Sequence, residues 1–124
     1  MVSPNVDTEV LARAHRHGMV TMPGVFSPTE ALLAARAGAS SLKFFPASVL
    51  GASGIAAIRA VLPAGVMIAA VGGVSDRNFA EYIKGGVTAF GLGSSLYKPG
   101  MTAADVAERA RVTIDAYDRA LAKG

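Results

Sequence analysis

Lys43 stands in the stretch Ser41-Leu42-Lys43-Phe44-Phe45-Pro46-Ala47, an apolar run that otherwise reads as a buried strand. A buried ammonium is costly unless it is paired or gives up its proton. In one reading Lys43 lies at a strand end and its head snorkels to water. In the other it is kept partly desolvated so that a neutral amine can attack a carbonyl carbon. The run by itself leaves both open. Two further stretches could hold an anion. Gly72-Gly73 closes the apolar run 66–74, and Gly93-Ser94-Ser95 interrupts the run 88–97. Glycine lacks the Cβ that would block a phosphate, and backbone amides and a serine hydroxyl can donate to one. The alternative is a pair of tight turns that need glycine for their own geometry. Neither stretch is a Walker loop, and no G-x-G-x-x-G follows a strand, so a dinucleotide is disfavoured.

Other residue types offer less. His15 and His17 are two apart near a helix end, so they do not share a face, and nothing near them completes a metal set. The carboxylates fall mostly in helical segments, where they read as caps and solvated faces. Asp76 reads as a first-turn helix residue beside the glycine pair. No Ser/His/Asp set is legible. A Schiff-base reaction also needs a proton shuttle, and no acidic residue occupies a strand C-terminus. The chain contains no cysteine, which excludes disulfides and thiolate chemistry and fits a reducing cytoplasm.

These residues need a scaffold, and the hydrophobic pattern supplies one. Apolar runs at 1–5, 19–25, 40–47, 66–74 and 88–97 alternate with segments of helical spacing. Val10, Leu11 and Ala14 mark the first helical face and Ala31, Leu32 and Ala35 the second. Ile55, Ile58 and Leu62 mark the third, Phe79, Tyr82 and Ile83 the fourth, and Val106, Ala110, Ile114 and Tyr117 the fifth. Ser27-Pro28-Thr29-Glu30 predicts a capped helix start, Asp7, Ser75 and Thr102 are expected N-caps, and Gly18, Gly38 and Gly85 are expected stops. The pattern predicts five βα units and a parallel sheet. Such sheets put working residues at strand C-terminal ends, and (β/α)8 barrels commonly bind phosphate in the loops after their last two strands.

The 124 residues suit one domain, 1–124, and 52% of them are apolar, enough for a core. The net charge of +3 reads first as ordinary surface solubility, with attraction of a small anion as the second reading. The basic residues are spread over helix faces without interleaved aromatics, which does not point to nucleic acid. No apolar run is long enough to span a membrane, and the N-terminus lacks the features of a signal peptide.

LKFFPA, VGGVS and GLGSSLYKPG, together with SPN and MPGV nearer the start, resemble the class I keto-deoxy-phosphosugar aldolases over essentially the whole chain. AVGGV and GLGSSLY are most similar to the galactonate-specific branch. Gluconate-specific relatives usually carry threonine where this chain has Val71. The resemblance implies an α/β fold of the (β/α)8 TIM-barrel family, here a partial barrel of about five units. It implies Lys43 as the Schiff-base lysine, with Phe45 and Pro46 shaping its pocket and Pro23 on the strand end facing the imine. Gly72, Gly73, Gly93 and Ser94 would hold the substrate phosphate, with Ser95 beside them.

The implied reaction is reversible cleavage of 2-dehydro-3-deoxy-6-phosphogalactonate to pyruvate and D-glyceraldehyde 3-phosphate. The protonated imine is the electron sink, so neither metal nor organic cofactor is implied. Full-length members form trimers, which implies a homo-oligomer, and open strand edges also invite association. A complete barrel takes about 200 residues or more. The chain therefore reads as the C-terminal portion of such a barrel. The family's first three strands would carry the proton-shuttling glutamate and an arginine for the substrate carboxylate. Three alternatives stand beside this reading: the gluconate-epimer-specific aldolase of the same family, a different phosphate-binding barrel enzyme with a structural Lys43, and a non-catalytic phosphate-binding remnant.

Overall fold

The computed structural model describes residues 1–122. The elements run α1 Thr8–Arg16, β1 Gly24–Val25, α2 Pro28–Arg36, β2 Leu42–Phe44, α3 Ala47–Arg59, β3 Ile68–Val71, α4 Phe79–Lys84, β4 Ala89–Gly91 and α5 Ala103–Leu121. All strand pairs are parallel and the sheet order is β1-β2-β3-β4. Each strand lies beside the next in sequence, so the sheet has no reversal of order of the doubly wound kind. It is an arc of a (β/α)8 barrel.

The first unit departs from expectation. Its apolar run, 1–5, forms a single parallel bridge between Val2 and Met22 and no strand. Pro4 has no amide to donate to a ladder. The Ser3 hydroxyl instead donates to the Asn5 carbonyl at 2.9 Å and turns the chain.

Local chemistry sets most helix ends. The Asp7 carboxylate accepts from the amides of Glu9 and Val10, and capping boxes at Ser27/Glu30 and Thr102/Asp105 start α2 and α5. The expected cap at Ser75 is displaced: α4 begins at Phe79 with Asn78 as its N-cap. The Asn78 side chain accepts from the Ser75 amide at 2.9 Å, and the Ser75 hydroxyl accepts from the Arg77 amide at 3.3 Å. This turn competes with the helix and wins, and Asp76 lies in it instead of in the first helical turn. Gly18 and Gly38 stop their helices at φ +67° and +80°. Gly85 is the C-cap of α4, at φ −73°, and the positive φ falls one residue later, on Gly86 at +94°. A Cβ on Gly85 would stand 3.0 Å from the Ala52 carbonyl, so Gly85 is a packing glycine between α3 and α4.

The core lies between the sheet and the helices. Val25, Leu42, Phe44, Ile68 and Ala70 pack against Ile55 and Ile58 of α3 and Tyr82 of α4. Full burial of each large side chain contributes about 1.5–3 kcal/mol. The Tyr82 hydroxyl donates to the Ala47 carbonyl at 3.1 Å, which satisfies its polar tip. Phe79, Phe90 and Tyr117 hold α5 against the β4 side, with Phe79 and Phe90 centroids 4.5 Å apart. On α5 the buried face runs through Thr113 and Ala120, and Ile114 is 58% exposed, against the spacing expectation. Thr113 can be buried because its hydroxyl donates to the Arg109 carbonyl at 2.8 Å.

Candidate active site

The register places Gly24, Lys43, Ala69 and Ala89 side by side across the sheet. The next row, Val25, Phe44, Ala70 and Phe90, belongs to the core or packs on it. Side chains alternate along strands, so Lys43 stands on the opposite face, between two small neighbours. It is 6% exposed, and its amine has no hydrogen-bond or ion-pair partner among the described residues. The Phe45 ring centroid lies 5.1 Å from the amine. Burial holds the Lys43 pKa below its ordinary value. The geometry is that of a desolvated amine and not of a snorkelling side chain.

A cleft of ≈ 480 Å³ opens beyond Phe45, between the loop after β3 and the loop after β4. Gly72 and Gly73 sit at φ +91° and +75°, where only glycine is comfortable. A Cβ on Gly73 would stand 2.4 Å from Cβ of Ser48, and the Gly72 carbonyl accepts the Ser48 amide at 3.0 Å. This pair therefore seats the loop on the start of α3, a packing reason beyond the expected room for a ligand. Gly93 differs: its φ is ordinary and a Cβ there would meet nothing within 4 Å. The amides of Gly73, Val74, Ser94 and Ser95 have no hydrogen-bond partner among the described residues. The Ser95 hydroxyl is buried and also unpartnered. Residues with free amides, a free hydroxyl and Lys98 line the same cleft, and these are the donor types an oxyanion needs.

A family model described as KDPG and KHG aldolase matches residues 1–112. The chain belongs to this family. It is 70% identical to a probable 2-dehydro-3-deoxy-6-phosphogalactonate aldolase of Rhizobium meliloti (strain 1021), over 95% of this chain and 56% of that protein. It is 42% identical to the 2-dehydro-3-deoxy-6-phosphogalactonate aldolase of Escherichia coli (strain K12), over 98% of this chain and 59% of that one. A solved structure described as "Native KDPGal structure" superposes with a TM-score of 0.93 at 42% identity, covering 97% of this chain and 58% of that chain. The chain thus spans a little over half the length of the curated relatives it matches.

In this chain the expected residues fall into two groups bridged by one ring. Lys43 lies in β2, and Phe45, in the turn just after it, brings its ring to the amine. Gly72, Gly73, Gly93, Ser94 and Ser95 line the cleft, and Phe45 lines it too. Pro46 is the N-cap of α3 and would contact a Cβ on Gly72 at 3.3 Å. Pro23 is fully buried and meets Lys43 through the backbone, its carbonyl accepting the Lys43 amide at 3.0 Å. The residue across from Lys43 is Gly24, and a Cβ there would lie 2.2 Å from the Pro4 carbonyl. Ser75, expected only as a helix cap, and Lys98, given no role of its own, also line the cleft. Lys98 follows Ser94 by one turn's length, which was its available signal. His15 and His17 are exposed, and no group of three metal-ligating side chains converges among the described residues. No helix among the described residues is long and apolar enough to cross a membrane.

Lys43 makes a testable demand on stability. Its folded pKa lies below its unfolded one, so between the two values the unfolded chain binds more protons. Stability therefore rises with pH across that interval, by at most about 1.4 kcal/mol per pH unit. Lys43→Met lacks this slope. In urea titrations from about pH 7 to pH 10, the variant's stability advantage over wild type should shrink as pH rises. A constant gap would show that Lys43 stays charged when buried.

Proposed function

We propose that the chain carries the imine-forming and phosphate-binding parts of a class I aldolase that cleaves 2-dehydro-3-deoxy-6-phosphogalactonate to pyruvate and D-glyceraldehyde 3-phosphate. The observation that carries this reading is an unpaired amine, 6% exposed, one aromatic ring away from a cleft of unpartnered amides. The neutral Lys43 amine attacks the keto carbon, and loss of water gives a protonated imine. A base takes the proton of the hydroxyl at the carbon beyond the methylene. The carbon–carbon bond between them breaks, its electron pair enters the imine system as an enamine, and the aldehyde phosphate departs. Protonation of the enamine and hydrolysis release pyruvate and restore Lys43. The imine supplies the electron sink, so the reading calls for no metal or cofactor.

Phosphate lies on the loops at Gly72-Gly73 and Gly93-Ser95, with Lys98 adding charge. Preference for the galactonate epimer is supported by the two relatives named for it and by Val71 in the cleft wall. A cytoplasmic location and a homo-oligomer, trimeric as in full-length relatives of this type, belong to the same reading. Incubation with pyruvate and sodium borohydride should add a reduced adduct that peptide mapping places on Lys43. Absence of an adduct on any lysine would overturn the Schiff-base assignment.

The glycines separate ligand approach from packing. Gly93→Ala puts a methyl into open cleft space, so inorganic phosphate should bind about tenfold more weakly, with pyruvate trapping and thermal stability unchanged. Gly73→Ala forces a side chain into Ser48 at positive φ and should cost about 1–3 kcal/mol of stability. Equal phosphate binding by Gly93→Ala and wild type would move the anion elsewhere.

A further inference from the structure

Arg109 reaches from α5 to both loops of the anion cleft. Its Nε donates to the Ser95 carbonyl at 2.8 Å, and its terminal nitrogen pairs with the Asp76 carboxylate. Ser95 belongs to the loop after β4 and Asp76 to the loop after β3, and the two loops bond to different neighbours otherwise. The β3 loop is tied to α3 through Ser48 and to Asn78, whose side-chain amide donates to the Gly73 carbonyl at 3.0 Å. The β4 loop closes on itself, the amides of Leu96 and Tyr97 donating to the Gly93 carbonyl at 2.9 and 3.0 Å. Arg109 is thus a bridge between two separately built turns. Its guanidinium is planar and holds its donors in a fixed fork, so two bonds in two directions fix distance and orientation together. Its charge is matched by Asp76, whose side chain is 16% exposed against 33% for Arg109.

We propose that Arg109, with Asp76, is a positioning residue for the anion cleft: it sets the spacing between the free amides at Gly73-Val74 and those at Ser94-Ser95. This rests on the phosphate reading above. Two sets of donors on independent loops bind a small tetrahedral anion well only when their separation is fixed in advance. Anchoring the Ser95 carbonyl on Arg109 also fixes the turn 93–97 with the Ser94 and Ser95 amides left free for a ligand.

The test uses the whole chain and two ligands: inorganic phosphate, followed through the backbone amide resonances of Gly73, Ser94 and Ser95, and pyruvate, followed by borohydride trapping. Arg109→Met should weaken phosphate about tenfold and leave pyruvate trapping unchanged. Arg109→Lys, which can keep one bond of the two, should recover part of the loss. Asp76→Asn decides between charge and position. It makes the cleft more positive, so charge alone predicts tighter phosphate, whereas a lost tie predicts weaker phosphate. The double variant Asp76→Asn/Arg109→Met should be no worse than Arg109→Met, because both changes cut one tie. Unchanged phosphate binding in Arg109→Met, or tighter binding in Asp76→Asn, overturns the proposal and leaves the phosphate reading standing. Should Arg109→Met not fold, Arg109→Lys and Asp76→Asn decide by the same criteria. Wild-type chain whose loop amides ignore phosphate overturns both the proposal and the reading beneath it.

Discussion

Lys43→Ala should abolish borohydride trapping of pyruvate while inorganic phosphate still shifts the Ser94 and Ser95 amides. The two halves of the site are built from different elements, Lys43 on β2 and the anion donors on the loops after β3 and β4. Removing the amine deletes the nucleophile and leaves the loops' own ties, to Ser48, Asn78 and Arg109, in place. Lys43→Arg should be equally dead toward pyruvate, because a guanidinium stays protonated and cannot attack a carbonyl. In wild type the trapping rate should climb as pH rises through the lowered pKa of Lys43 and then level off, since only the neutral amine is nucleophilic. An adduct that persists in Lys43→Ala and maps to Lys84 or Lys98 would place the imine elsewhere.

A polypeptide of these 124 residues alone should form the imine readily but cleave substrate slowly, about 10²–10⁴-fold below a chain that also supplies a positioned acid–base group. Carbon–carbon cleavage needs a base at the substrate hydroxyl, and four carboxylates near the βα loops, Asp7, Glu30, Asp76 and Asp105, are already engaged. Asp7 caps α1, and Asp76 is paired with Arg109. Glu30 accepts from the Phe26 and Ser27 amides, which hold its pKa below the ordinary carboxylate value and make it a poor base. Asp105 is held low in the same way by Thr102. Added acetate or imidazole should therefore raise the cleavage rate in proportion to its concentration and leave imine formation unaffected. Fast cleavage that ignores added buffer would mean that one of these carboxylates moves protons after all.

What was readable in the sequence is what short-range physics controls. Alternating strand and helix periods announced five βα units, and four of them hold as strand and helix. Asp7, the Ser27-Glu30 box and Thr102 were visible as caps because a cap is a contact between residues two or three apart. Lys43 stood out because a charge in an apolar run is conspicuous wherever the strand ends up. The run 1–5 was misread as a full strand because one proline decides whether a ladder can continue.

The tertiary structure decided the rest, through contacts between residues far apart in the chain. Ser75 carries cap chemistry, yet the Asn78 side chain draws it into a turn that starts the helix later. Gly72-Gly73 suggested a ligand, and its tightest constraint is Ser48 on another element. Gly24 reads as an ordinary small residue until the Pro4 carbonyl is seen lying against it. Arg109 lies well beyond both loops in sequence, on a helix whose charged residues look like solvated surface. Spacing rules reach about one helical turn, and only folding brings a guanidinium, a carboxylate and a carbonyl from three segments to a single point.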